Sequence, residues 1–381
     1  MTRRAAAAAL LALVALCTTR PVAAQSVGTG VDYLGYQFGE GLNADAAQLF
    51  MIPVAVRYPV RPDLSLDFFT AWADGRVEQN NTTYKLSGLV DTNLKGTWQA
   101  TPWAQVAVGI NLPTGNSTHT DEEAVVASVM STDLLGFREA SWGTGFAVTS
   151  SAAAAHRVGG FGLGVAAAYA ARSSYEPSDE VTVTYQPGNE TRVRAGLDYN
   201  FGNSTLTAGG TFISYQDDKY SDATVSDRNL FRAGNRIRVD ASYAFRAAAG
   251  VWSVYMADLM RQNGDLRVDV LDDTGIAVGD TTLVTATQNL LIAGVMGSVS
   301  LGGGYVFRPH VDYRLQKREE ADGNDAGSGW IIAAGGDIPM RVLGNEFFPK
   351  ARVYFGSIRD AVGGDVSLLA LEFKGTVRVS F

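Results

Sequence analysis

The sequence predicts an all-β protein: a single antiparallel up-and-down β-barrel that crosses a membrane with about sixteen strands, fourteen being the alternative count. Three observations predict it. Apolar and polar residues alternate with a period of two in segment after segment. Short turns alternate with long polar loops. No stretch after residue 24 is apolar for long enough to form a transmembrane helix.

The alternation is clearest at the end of the chain. Leu369, Leu371, Phe373, Val377 and Val379 share one parity with the terminal Phe381, while Glu372, Lys374, Thr376, Arg378 and Ser380 share the other. One face must meet an apolar phase and the other water. The same pattern recurs in 192–201, 236–246, 305–316 and 91–99, each about the ten residues that a tilted strand needs to cross a bilayer.

Taken in order, residues 1–24 read as a secretory signal. Arg3 and Arg4 open it, an apolar stretch runs from Ala5 to Cys17, and Val22-Ala23-Ala24 precedes a cleavage site near Ala24-Gln25. Cys17 is the only cysteine, and Leu16 before it stands where a lipoprotein signal wants a small residue; the mature chain then has no thiol. Residues 25–46 form either a short first strand, Val31 to Phe38, or a segment tucked into the lumen. The barrel occupies 47–381. Short turns are placed at Thr101-Pro102, 156–160, 202–204, 247–250, 302–304 and 342–346, and long loops at 113–140, 176–190, 217–235, 263–285 and 317–328. Trp98, Trp103 and Trp252 flank short turns, where an interfacial aromatic girdle belongs.

With the apolar face toward lipid, the polar face lines the lumen. The predicted lining includes Lys95, Arg192, Arg194, Asp198, Arg236, Arg238, Asp240, Arg308, His310, Asp312, Arg314, Lys350, Arg352 and Arg378, with Arg246, Lys374, Asp91 and Glu372 on the same parity. Bases outnumber acids on that face although the chain carries a formal charge of −8, because acids concentrate in loops at Asp121-Glu122-Glu123, Asp217-Asp218, Asp272-Asp273 and Glu319-Glu320. A basic lining favours anions in transit; cross-strand pairing that braces the wall is the competing role for the same arginines. The acidic balance argues against a nucleic-acid partner.

Loop 113–140 has its own signal. Thr120 and Glu123 form a capping box ahead of Ala124 to Met130, which predicts a short helix whose apolar residues, among them Val125 and Val129, send it into the lumen as a constriction. Packing on neighbouring loops is the alternative.

Gly88-Leu89-Val90-Asp91, with Val106 to Gly115 ending in Leu112-Pro113-Thr114-Gly115, resembles the Gly-x-x-Asp strand and "LPTG" strand end of MetA-type phenol-degradation outer-membrane proteins, themselves similar to the long-chain fatty-acid transporters. The terminal Phe381 resembles the C-terminal signal of bacterial outer-membrane barrels. These resemblances imply a Gram-negative outer-membrane barrel that passes hydrophobic or aromatic compounds, often with an N-terminal plug. The implied partners are outer-membrane lipids and lipopolysaccharide, the barrel assembly machinery and a small-molecule solute.

The predicted function is therefore an outer-membrane channel or transporter for small hydrophobic or anionic organic compounds. A general diffusion porin with a basic, anion-preferring lumen is the alternative. A barrel-embedded hydrolase is the alternative of another class, and the sequence argues against it. Of His119, His156 and His310 only His310, between Arg308 and Asp312, lies on the inward parity, and no serine accompanies it. No histidines stand at metal spacing and no glycine-rich segment leads into a helix, so no metal, cofactor or catalytic residue is assigned. Substrate identity and oligomeric state stay open.

Overall fold

The computed structural model describes residues 25–380 apart from 43, 140, 181, 222–227, 248–249, 272–276, 343 and 360–363. The predicted signal and Phe381 lie outside the described residues. Strands follow the alternating segments. In chain order they are β1 (Ser26–Phe38), β2 (Ala46–Arg61), β3 (Leu64–Gln79), β4 (Thr82–Leu89 continued by Thr92–Thr101), β5 (Ala104–Leu112), β6 (Ala147–Val158), β7 (Phe161–Arg172) and β8 (Glu190–Phe201). The second half comprises β9 (Ser204–Tyr215), β10 (Arg236–Ala247), β11 (Gly250–Arg261), β12 (Thr287–Gly302), β13 (Tyr305–Glu319), β14 (Asp325–Asp337 continued by Met340–Val342), β15 (Asn345–Arg359) and β16 (Asp365–Ser380). Each strand pairs antiparallel with the next, and β1 pairs with β16 from Ser26↔Ser380 to Phe38↔Leu368, closing a sixteen-stranded barrel. Closure leaves no unpaired edge, the condition for β structure inside a bilayer.

Within the N-terminal segment, Ser26–Phe38 is therefore wall, not plug: β1 bonds β2 on one side and β16 on the other. The β3–β4 hairpin turns on Asn80-Asn81 with both φ positive (52° and 63°), the backbone of a two-residue primed turn that asparagine tolerates.

Exposure settles which parity faces out. On β16, Leu369, Leu371 and Phe373 are 56%, 46% and 54% exposed, while Leu368, Ala370 and Glu372 between them are buried. The outward side chains form the apolar belt. At its short-turn end the rings of Phe161, Tyr199, Phe201, Tyr243 and Phe245 stack in sequence at centroid spacings of 4.2, 5.3, 5.9 and 5.4 Å, with Trp98 exposed on β4 and Trp103 exposed in the turn that follows it. This is the girdle expected at a membrane–water boundary.

The opposite end departs from the prediction. The loops after β7, β9 and β11 are not simply polar connections. They supply a second antiparallel sheet in the spatial order Ala277–Val284, Asp265–Leu271, Arg228–Arg232, Asp218–Ser221, Thr184–Gln186. Tyr185 anchors its last strand by donating its hydroxyl to Asp218; burial first, and that bond second, raise the phenol's pKa. The predicted long loop 317–328 shrinks because β13 and β14 run on past the belt, with Glu319 still paired to Asp325.

The lumen and its constriction loop as candidate functional site

Chain 113–146, between β5 and β6, enters the barrel. It carries α1 (Asp121–Met130), whose capping box is complete: Thr120 accepts from the Glu123 amide and Glu123 accepts from the Thr120 amide. The predicted constriction residues divide their work. Glu123 is spent on this cap, Val125 and Val129 pack at the rim of the core, and Val126 and Met130 are the side chains that are fully buried.

The loop is fastened where it leaves the wall, by the two motifs that carry the family resemblance. Asp91 sits at the break in β4 and its carboxylate accepts from Asn111 Nδ2 (2.8 Å), the Gly115 amide (3.1 Å) and the Thr144 amide (2.8 Å). Its own amide donates to Trp142 O (2.9 Å), and Thr114 Oγ1 donates to Val90 O (3.0 Å). A Cβ on Gly115 would overlap the Trp142 carbonyl, so only glycine fits there. Asp91 thus belongs to a knot at the loop's base; the expected place among the lumen acids gives way to that role, since a carboxylate accepting three N–H groups is used up locally.

Past the knot, the loop fills one half of the lumen. Trp142 is fully buried against the inward faces of β2–β4 beside Ala73, Val77, Leu86 and Val126, and its indole N–H donates to Ala73 O (3.1 Å). Leu134 and Leu135 are buried against Tyr36, Ile331, Tyr354, Leu368 and Ala370. Tyr36 donates to Leu135 O (2.7 Å), and Arg314 Nη1 reaches Leu134 O (3.2 Å) and Leu135 O (3.3 Å). At its outer end the loop meets the 173–189 segment, where the His119 amide donates to Pro177 O (3.0 Å) and Thr118 Oγ1 to Glu176 O (2.7 Å). Burial lowers the His119 pKa, and nearby Glu123 opposes that shift. Glu139, further along the loop, is pushed up to about 7 by burial, with the Asp91 carboxylate adding to the effect.

The other half of the lumen is open. There β5–β9 turn small residues inward, including Ala107, Ser151, Ala153, Ala166 and Ala168, around a cavity of about 530 Å³ bordered by Lys95, Arg192, Arg194 and Arg238. Arg194 lies across the wall in a bidentate pair with Asp240 (2.8 Å to each oxygen), and Arg238 is 3.6 Å from Asp240. The Arg192 and Arg238 side chains are 53% and 52% exposed, so both are solvated inside the barrel.

Every predicted lining residue lies on the inward parity, yet many of the bases are paired. Arg308 forms a fork with Asp337, its Nε at 3.0 Å; Arg314 and Arg352 share Asp312 at 3.2 Å each; Lys350 binds Glu372 at 2.6 Å. Arg192 is 2.5 Å from Glu190, and the Arg236 guanidinium sits 5.8 Å from the centre of the Tyr215 ring. Among the described residues, Lys95 and Arg378 make no ion pair. Asp198 borders a second cavity at the short-turn end with Arg157 and Arg194. His310 faces Tyr255 Oη (2.5 Å) and lies 3.8 Å from Asp312. The lumen acids Asp32, Glu190 and Asp337 are not legible in the sequence, because the inward face of β1 is apolar where it packs on the loop and Glu190 and Asp337 stand at strand ends. Nor is Trp142, whose signal is a lone tryptophan in a loop without a turn beside it.

A closed antiparallel barrel with a lipid-facing apolar belt, an aromatic girdle and an ionic lumen is a transmembrane β-barrel of the outer-membrane type. More particular assignment stops there. No family model matches the chain, and no curated protein does. The MetA-type resemblance of 88–91 and 106–115 accordingly finds no support in either comparison. Among solved structures the chain is similar to Pseudomonas aeruginosa OccK1 (OpdK), at 10% identity over 94% of this chain and 99% of that one with a TM-score of 0.44. It is similar also to OccK11 (OpdR) of the same organism, at 10% identity over 94% and 96% with a TM-score of 0.44. Salmonella typhi OmpF, in complex with daunomycin, is similar at 14% identity over 93% and 97% with a TM-score of 0.42.

Proposed function

We propose that this protein is an outer-membrane channel for small organic anions, including acids with an apolar body. The observation that carries the reading is the open half of the lumen. Solvated Arg192 and Arg238 stand over a floor of alanine and serine beside a cavity of about 530 Å³, while the loop occupies the opposite half. Guanidinium groups held in a narrow aqueous passage attract anions, and the low-dielectric wall strengthens that field. The alanine floor offers an organic acid's apolar part a surface that a purely ionic lining would not.

The experiment is single-channel recording of the refolded mature protein in a planar bilayer under a salt gradient. Steady conductance with anion preference is the expected result, and the double variant Arg192→Gln/Arg238→Gln reduces that preference. A folded barrel that neither conducts nor admits small acids in a liposome-swelling assay overturns the reading. The general diffusion porin is separated by the same assay, since it admits neutral sugars of equal size as fast as acids.

A further inference from the structure

Beneath the loop is a second, smaller cavity that the passage on the open side does not use. It has a volume of about 210 Å³ and lies between the loop segment Gly136–Arg138 and the inward faces of β1, β2, β13, β15 and β16. One side is apolar, made by Leu34, Leu49 and Met51. The other is ionic, with Arg138, Arg314, Lys350 and Arg352 against Asp32 and Glu372.

The ionic side is built and carries surplus positive charge. Asp312 is shared by Arg314 and Arg352, Glu372 takes Lys350 and the Tyr354 hydroxyl, and Asp32 takes Arg138 (2.9 Å) and Lys374 (3.5 Å). Five bases thus face three carboxylates in two neighbouring clusters. The Arg352 side chain is only 10% exposed, yet its Nε, 3.9 Å from Glu372 Oε2, has no hydrogen-bond partner among the described residues. Nε itself is shut off from solvent; what a carboxylate entering the cavity would meet is the excess positive charge of five bases over three carboxylates, with charge-assisted hydrogen bonds from the guanidinium groups that line it.

We propose that this cavity is a binding site for a small monocarboxylic acid with an apolar body. The carboxylate lies against Arg352 and Arg138, and the apolar body against Leu34, Leu49 and Met51. The volume, below the ~300–1,000 Å³ of pockets that take drug-sized ligands, limits the ligand to a single short chain or ring. The proposal rests on the reading of the lumen as a solute path, but its test does not depend on conduction.

The test is calorimetric titration of the folded protein in detergent with benzoate as the probe, with benzyl alcohol and inorganic phosphate as controls. Saturable benzoate binding is expected, at least tenfold weaker in Arg352→Gln and in Arg138→Gln, with no saturable binding of benzyl alcohol. Arg138, on the half-exposed loop edge, is included because its loss leaves the barrel wall intact should Arg352→Gln fail to fold. Leu34→Phe fills the apolar side without altering charge and abolishes binding. No saturable benzoate binding, binding unmoved by both arginine variants and by Leu34→Phe, or phosphate bound as tightly as benzoate would each overturn the proposal. Each such result can coexist with steady anion conductance, which keeps the two readings separable.

Discussion

Trp142 is the peg that holds the constriction loop, and removing it should release the loop without opening the barrel. The indole is fully buried and contributes one hydrogen bond, to Ala73 O at 3.1 Å. A tryptophan buries about 150–250 Å², which at about 25 cal/mol per Å² is worth roughly 4–6 kcal/mol. Measured Trp→Ala losses of about 3–5 kcal/mol agree. That loss falls on the docked loop and not on the wall, whose strand pairing runs unbroken around the barrel. At about 1.4 kcal/mol per decade, Trp142→Ala raises the undocked population by roughly two to four orders of magnitude. The mature chain is expected to lack cysteine, so a thiol at Val126→Cys, on the buried face of α1, reports docking directly. Labelling of that thiol should be slow in the parent and about a hundredfold faster or more with Trp142→Ala, while the exposed Ser128→Cys labels equally fast in both. Equal rates at Val126→Cys with and without Trp142, in a barrel of unchanged heat-resistant mobility, refute the peg.

The Glu139 carboxyl, held up to about 7, ties docking to pH. A folded-state pKa above the unfolded value means docking is strongest below the ordinary carboxylate range and weakens as pH rises through about 7. Val126→Cys labelling, taken relative to the exposed Ser128→Cys at each pH so that thiol ionisation cancels, should speed up between pH 5 and pH 8, and Glu139→Gln should flatten that ratio. Gly75→Val points a side chain at Trp142, whose ring already lies 2.7 Å from where a Cβ would stand; it should mimic Trp142→Ala in the same labelling assay. Asp91→Ala removes the acceptor of three N–H donors at the loop's base, and at about 1.5–3 kcal/mol for a bond to a charged group it should release the loop more completely than either; loop-specific proteolysis reads this out. Tyr185→Phe removes the bond to Asp218 and should hasten protease cleavage in the 216–235 connection, leaving the barrel uncut.

The barrel was legible because its signal is periodic. A lipid-facing and a water-facing side on every strand impose the period-two alternation seen in 192–201, 236–246 and 305–316, and the parity assignment there needs no partner strand. Where one side of a strand packs against the loop instead of water, the alternation fades. On β16, Leu368 and Ala370 face inward and are apolar like their outward neighbours, because they pack with Leu134, Leu135 and Tyr36. The same masking made β1 ambiguous, since Leu34, Tyr36 and Phe38 face the filled half of the lumen. The capping box gave away α1, and the Gly88–Asp91 and Leu112–Gly115 motifs stood out in the sequence, but nothing local says that those motifs and Trp142 meet. The knot's members, Val90 to Thr92, Asn111 to Gly115 and Trp142 to Thr144, are distant in the chain and meet only in the closed barrel. Charge pairing was equally hidden, because it depends on register across strands.

The division of the lumen into a filled and an open half sets how freely each can vary. On the filled side, a Cβ at Gly75 would press on Trp142, and one at Gly335 or Gly356 would overlap the facing backbone. On the open side, Gly109, Gly162 and Gly164 would give a Cβ nothing closer than 3.7 Å, ordinary contact distance. A lineage could therefore widen or narrow the passage, or change its lining, residue by residue along β5–β8 without disturbing the fold. The opposite half must stay nearly fixed, and gauge can drift over evolutionary time on one side only.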